Sequence, residues 1–251
     1  MTATGYRERR PSPDLAADVA CTWTGHIGDT GEPYSDRVLP DGCVDVIWDG
    51  TRLLVAGPDT GPVPLTPAPR TTFVGVRLRP GRAAGVIGRP VSDIRDQRPD
   101  LAELWGRPRT DRLAMDAAQA TTSSAVEGLL ENAVRRRLAA APPPDRTVDA
   151  MVATLRAQFP TGPGLVAVLA ADLGVSERSL HRRCSAAVGY GPKTLDRVLR
   201  FRRALALAES DTTTSLGALA AASGYADHAH LTRECRRMSG LTPSELFKTP
   251  A

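Results

Sequence analysis

The feature that most restricts this chain is that its last hundred residues hold one pattern twice. Leu169-Ala170 returns fifty residues later as Leu219-Ala220, and Gly174-Val175 returns as Gly224-Tyr225. One extra residue near Ala226 then shifts the offset to fifty-one, pairing Leu180 with Leu231, Arg182 with Arg233, Cys184 with Cys235, Gly189 with Gly240 and Pro192 with Pro243. Such periodicity calls for two copies of one supersecondary unit. Each copy reads as a helix carrying Leu-Ala, a tight turn at a glycine, an apolar plug and a second helix. Helix signals fall at 147–159, 165–173, 176–187, 192–209, 216–223 and 227–239, with a last turn from Pro243. Pro192 and Pro243 suit first helical positions, and Ser176 and Asp227 suit N-caps. No strand is expected in this half.

The second helix of each unit has two different faces. In the first, Leu180, Cys184 and Ala187 recur at helical spacing and point inward, leaving Arg178, His181, Arg182 and Ser185 outward. In the second, Leu231, Cys235 and Met238 point inward, and His228, Ala229, Thr232, Arg233 and Arg236 outward. The outward sets suit a major groove. Arginine offers two donors to a guanine edge, histidine and threonine make single contacts, and an alanine methyl can touch a thymine methyl. Phosphate contacts are expected from the helix N-termini at Ser176 and Asp227 and from Arg197, Arg200, Arg202 and Arg203 on the connecting helix.

Charge follows the same division. Residues 1–145 carry 18 Arg and 19 Asp+Glu, whereas residues 146–251 carry 14 Lys+Arg and 9 Asp+Glu, so the positive excess sits wholly in the repeat-bearing half. That is where a polyanion would bind. Three consecutive prolines at 142–144 favour an extended spacer, dividing the chain into a first domain at 1–140, a linker at 141–146 and a second domain at 147–251. In the first domain, apolar or alternating runs at 44–48, 53–56 and 73–78 lie between Gly/Pro turns and read as strands, and a helical texture takes over from about Arg82. Val126, Leu129, Leu130, Val134 and Leu138 mark its clearest helix. The expected fold is therefore α+β, a small sheet followed by helices, joined to an all-α domain. With no apolar run long enough to span a bilayer and no signal-peptide pattern, a cytoplasmic location and no membrane partner are expected.

The final hundred residues resemble the DNA-binding domain of AraC/XylS-type transcriptional regulators. The resemblance rests on Leu169-Ala-x-x-x-Gly174-Val-Ser176, Leu180-x-Arg182, Gly189-x-x-Pro192, Arg200-x-x-x-Ala204, Leu219-Ala-x-x-x-Gly-Tyr225, Leu231-x-Arg233 and Gly240-Leu-Thr-Pro243. It implies two helix-turn-helix units joined by a long helix, with Arg178, His181 and Arg182 of one unit and His228, Ala229, Thr232 and Arg233 of the other reading bases in double-stranded promoter DNA. Cys184 and Cys235 stand where the family usually has phenylalanine, and Ala229 where a longer polar side chain is common. Pro40-Asp-Gly-Cys-Val-Asp-Val-Ile-Trp48 and Gly75-Val-Arg-Leu-Arg-Pro-Gly81 resemble an amino-terminal domain found in a subset of these regulators. By analogy that domain senses a small-molecule effector or makes a homodimer, and RNA polymerase is a further partner the family implies.

Other chemistries find less support. His228 and His230 are two apart, so they diverge on a helix, and the four cysteines have no metal-ligand spacing; neither metal nor cofactor is expected. Asp41, Asp45 and Asp49 could share a strand face, but Asp41-Gly42 and Asp49-Gly50 are turn signals. Trp23, Trp48 and Trp105 read as core, with Trp48 a wall for an apolar effector if a pocket exists. No enzymatic activity is expected. Two rivals remain open: a DNA-directed alkyl acceptor using Cys21 or Cys43, and a degenerate helix-turn-helix module that binds protein.

Overall fold

The computed structural model describes residues 5–29, 36–158, 164–210 and 215–247. Its first half holds seven strands: β1 (Gly5–Arg9), β2 (Val19–His26), β3 (Asp36–Val38), β4 (Val44–Trp48), β5 (Leu53–Ala56), β6 (Val63–Leu65) and β7 (Thr72–Leu78). Five form an antiparallel sheet in the order β1-β2-β7-β4-β5, while β3 and β6 pair as a separate ribbon. Strand alternation decides which face is covered. Val74, Val76 and Leu78 of β7, Val46 and Trp48 of β4 and Val55 of β5 are buried together with Val126, Leu130 and Val134 of α4 (Ser123–Ala139). The shorter α1 (Ala83–Ile87), α2 (Leu101–Trp105) and α3 (Arg107–Gln119) complete this core.

Three strands escape the alternation rule. All of β1 is exposed and reads Gly-Tyr-Arg-Glu-Arg, an edge strand blunted by charge; Arg9 ties it to the buried Glu127 of α4 at 2.6 Å. At three residues each, β3 and β6 are too short to show a period, and Pro64 interrupts β6. Trp23 also departs from expectation. It lies half-buried on the opposite sheet face over Gly75, where a Cβ would meet its ring at 2.3 Å, and it donates to Asp45 at 2.6 Å. Trp48 is 6% exposed inside the packed core and so is no wall of an open effector pocket.

The second half runs α5 (Arg146–Gln158), α6 (Leu165–Asp172), α7 (Glu177–Val188), α8 (Pro192–Ser210), α9 (Leu216–Ala222), α10 (His228–Ser239) and α11 (Pro243–Leu246), with no strand among the described residues. Phe159, the expected end of the first of these helices, lies outside the described residues. A second buried cluster reaches from Val148 to Met238, separate from the first, which reaches from Leu15 to Val134. Pro142, Pro143 and Pro144 lie between the clusters in irregular backbone.

The halves nonetheless touch along a seam. Leu39 packs on the second cluster, and Arg82 reaches Asp149 at 3.1 Å. Gly189, at the end of α7, lies against Pro58 and Val91, and Arg37 donates to the Ser239 carbonyl at the end of α10 at 3.4 Å. The first domain thus contacts the C-terminal ends of both second helices of the repeat.

Candidate nucleic-acid interface

The repeat is a repeat of hydrogen bonds as well as residues. In α6–α7 the Val175 N–H donates to the Ala170 carbonyl at 2.9 Å; in α9–α10 the Tyr225 N–H donates to the Ala220 carbonyl at 2.8 Å. The turns pass through Gly174 (φ 65°) and Gly224 (φ 81°), a left-handed conformation that glycine adopts without Cβ strain. Each following helix then opens on a side-chain cap. Ser176 Oγ accepts from the Ser179 N–H at 3.2 Å, and an Asp227 carboxylate oxygen accepts from the His230 N–H at 2.6 Å. Leu180 and Cys184 on α7, and Leu231 and Cys235 on α10, are fully buried, which fixes the rotation of each helix about its axis. Small Cys184 is accommodated by a neighbour, its thiol lying 3.0 Å from the Tyr190 carbonyl.

That rotation leaves Arg178, His181 and Arg182 exposed on α7 and His228 and Arg233 exposed on α10. Among the described residues, no hydrogen bond or ion pair engages the side chain of Arg178 or Arg182. Ala229 and Thr232 are half-exposed, and the Thr232 hydroxyl donates back to the His228 carbonyl at 2.8 Å, leaving its oxygen as an acceptor. The His181 ring leans over Gly191 with Nδ1 3.4 Å from Ser185 Oγ, so it stands closer to its own unit than the arginines do.

The phosphate-contact expectations fare differently. Arg200 is only 8% exposed; its guanidinium reaches Asp196 at 2.6 Å and lies over the Tyr225 ring, so it is a strut between α8 and the second unit and cannot reach phosphate. Arg197 is committed to both oxygens of Glu234 at 2.6 and 2.9 Å, a bidentate clamp from α8 to α10. Arg203 donates to the Ala222 carbonyl at 3.0 Å, at the C-terminus of α9 where a cation is favoured. Asp227 is also corrected. The hydrogen bond from His230 holds its carboxyl below the usual range, so an anion already occupies that helix N-terminus and would repel phosphate. Ser176 and Arg202 are exposed and keep their expected position.

A cavity of about 870 Å³ opens between the two units, beside the first turns of α6 and α7 and the turn before α10. Its walls include Lys193, Glu177 and His230. Lys193 is exposed on the first turn of α8 and belongs to this surface, although sequence reasoning passed over it. Its signal was available, since it follows the helix-opening Pro192 and is one of only two lysines in the chain.

The residues of the rival chemistries lie elsewhere. All four cysteines are buried, and burial pushes the thiols of Cys21, Cys184 and Cys235 up to about 12 and Cys43 well above its ordinary value. None is a ready nucleophile, because the thiolate is the reactive form. An Asp41 oxygen accepts from the Cys43 N–H, and Asp49 accepts from Thr51 and Arg52, so both aspartates shape turns. Asp45 is buried under Trp23 and Arg77, and burial raises its carboxyl to about 6. Among the described residues no group of three or more His, Cys, Asp or Glu could hold a metal ion, and no helix is long and apolar enough to cross a membrane.

Comparison with known proteins finds a match in each half of the chain. Residues 7–100 match a domain of unknown function (DUF6597), and residues 169–249 match a family described as a helix-turn-helix domain. No curated protein matches the chain. Among solved structures, ToxT from Vibrio cholerae aligns over 90% of this chain and 97% of that one at 9% identity and a TM-score of 0.49. The same protein from strain SCE256, with an unsaturated fatty acid bound, aligns over 95% and 96% at 9% identity and a TM-score of 0.47. The chain thus carries an AraC-type helix-turn-helix domain at its carboxy terminus and a DUF6597 domain before it.

Proposed function

We propose that the chain grips promoter DNA with α7 and α10 in two successive major-groove segments on one face of the duplex. The observation that carries this reading is the equivalence of Arg182 and Arg233, matched by the internal repeat and both exposed on the outward face of a capped helix. Arg178, His181 and Arg182 read one segment, and His228, Ala229, Thr232 and Arg233 read the other. Lys193, on the wall between the units, meets the backbone that passes between the two segments, while Ser176 and Arg202 supply further phosphate contacts. Arg197 and Arg200 act indirectly, by holding α10 at a set angle to α8.

Selection of bound sequences from a random duplex library tests this at fixed salt, since affinity without stated salt carries little meaning. Two short blocks about one helical turn apart are expected, the first relaxed in Arg182→Ala and the second in Arg233→Ala. A single block, or equal relaxation of both blocks by either variant, refutes the two-headed reading.

A further inference from the structure

The two reading helices differ at one place that the repeat makes comparable. The offset of fifty-one residues pairs Arg236 and Arg237, exposed near the end of α10, with Ser185 and Ala186, half-buried near the end of α7. The second unit closes its helix on two cations and the first on two small side chains. The first domain fills the space those small residues leave, since α1 and the short turn at Val91–Ile94 both pack on α7. A recognition helix reads base edges with its first turns. Val188 lies six residues past Arg182, about 9 Å along the axis. Over that distance a straight helix seated in a curving groove about 12 Å wide has risen from the bases to the flanking strand. What rests on the last turn of α7 thus stands beside phosphates.

The first domain carries arginine there. Arg89 is exposed between α1 and the Val91–Ile94 turn and spends one N–H on the Glu103 carbonyl at 3.2 Å. Arg95, at the other end of that turn, faces the seam beside Tyr190 instead. A Cβ on Gly88 would stand 2.6 Å from the Arg137 guanidinium, which donates to the Val86 carbonyl at 2.8 Å and lies over the Trp105 ring. Burial holds Arg137 below its ordinary value and the nearby Arg109 lowers it further, while no carboxylate offsets either effect. Arg109 is exposed, and among the described residues its side chain has no hydrogen-bond or ion-pair partner. Nor does it serve its own helix. It sits in the first turn of α3, which opens on Gly106 without a capping side chain, and a helix N-terminus disfavours cations. We infer that the first domain is a third DNA-contacting element, in which Arg89 and Arg109 meet the phosphate backbone flanking the segment read by α7 and supply the charge that Arg236 and Arg237 give the second unit. This rests on the DNA-binding reading proposed above.

The test uses the full chain and the selected two-block sequence in two duplexes. One ends at the outer edge of the block relaxed in Arg182→Ala; the other continues there for about one further helical turn of arbitrary sequence. The extension should tighten wild-type binding about tenfold at moderate salt and add about two counterions to the salt slope. Hydroxyl-radical protection should run past that block. The Arg89→Ala, Arg109→Ala double variant should bind both duplexes alike, keep the base preferences of both blocks and melt near wild type, since both side chains are exposed. Equal wild-type affinity for the two duplexes overturns the inference and leaves the two-headed reading standing, and it decides the matter even where the double variant unfolds. A folded double variant that retains the gain overturns the assignment to these arginines. A library that yields no two-block motif removes both readings.

Discussion

Two glycines of the first reading unit offer a controlled test of the seam. Gly174 sits at φ 65° with nothing within 4 Å of an added Cβ, so Gly174→Ala carries only the left-handed backbone cost, about 1–2 kcal/mol. Gly189 sits at φ 100°, and its added Cβ would stand 2.4 Å from Pro58 Cγ and 3.3 Å from Val91 Cγ1. Carbon atoms rest at about 3.5–4.0 Å, so α7 and the first domain must part by more than an ångström. Pro58 is a buried ring that cannot swing aside, and overpacking of this kind costs about 1–3 kcal/mol beyond the backbone strain. Gly189→Ala should therefore melt roughly 2–12 °C below Gly174→Ala. Hydrogen exchange should also accelerate at 58–62 and 91–97 in Gly189→Ala alone. If both alanine variants melt together and exchange in those segments is unchanged, the domains do not rest on each other as described.

Arg182→Ala should leave the melting temperature near wild type while costing about 1–3 kcal/mol of discrimination at one base position, whereas Arg200→Ala should lower the melting temperature through loss of its buried pair with Asp196; library selection and thermal unfolding separate the two. Asp45 has a folded-state value of about 6 against an ordinary 3.8, so folding takes up a proton between these values. Its contribution to stability is greatest below about pH 4 and is lost as pH rises through 6. Wild type should accordingly gain stability relative to Asp45→Asn as pH falls from 7 to 4, in denaturant titrations at each pH, and a pH-independent difference refutes the assignment. All four thiols should resist an aromatic disulfide reagent in the native protein and react together in guanidinium; prompt reaction of Cys21 or Cys43 would revive the alkyl-acceptor rival.

The second domain was legible because its determinants are local and occur twice. A glycine turn, a Ser or Asp cap and an i, i+4 pair of buried residues specify the rotation of α7, and fifty-one residues later the same set specifies α10. The larger strands of the first domain were legible by alternation, and Val126, Leu130 and Val134 marked α4. The edge strand β1 was not, because an exposed strand has no hydrophobic period to display. Trp23 was misplaced for a related reason. Strand alternation assigns it to a face, but only the glycine opposite, Gly75, makes room for its ring on the open side. The seam left no sequence signal of its own, since Pro58, Arg95 and Gly189 are each ordinary loop residues until the two halves are brought together.

The arginines show why position along a helix was a weaker guide than the identity of the neighbour. Arg197, Arg200, Arg202 and Arg203 look alike in sequence, four cations on the helix that joins the reading units. In the structure Glu234 claims the first, Asp196 the second and the Ala222 carbonyl the fourth, while Arg202 stays exposed. A guanidinium already holding a carboxylate offers little net charge to a phosphate, and moving it would leave that carboxylate uncompensated in a partly buried site. Arg178 and Arg182 carry no such obligation among the described residues, and their full charge is available to a groove. The salt dependence of DNA binding should therefore fall by about one counterion for each cation that meets phosphate, such as Arg202 or Lys193, and hardly at all for Arg197, whose loss should instead change the tolerated spacing between the two blocks. A salt slope reduced as much by Arg197→Ala as by Lys193→Ala, with spacing unaltered, would show that the clamp to Glu234 opens on DNA and that Arg197 is a contact after all.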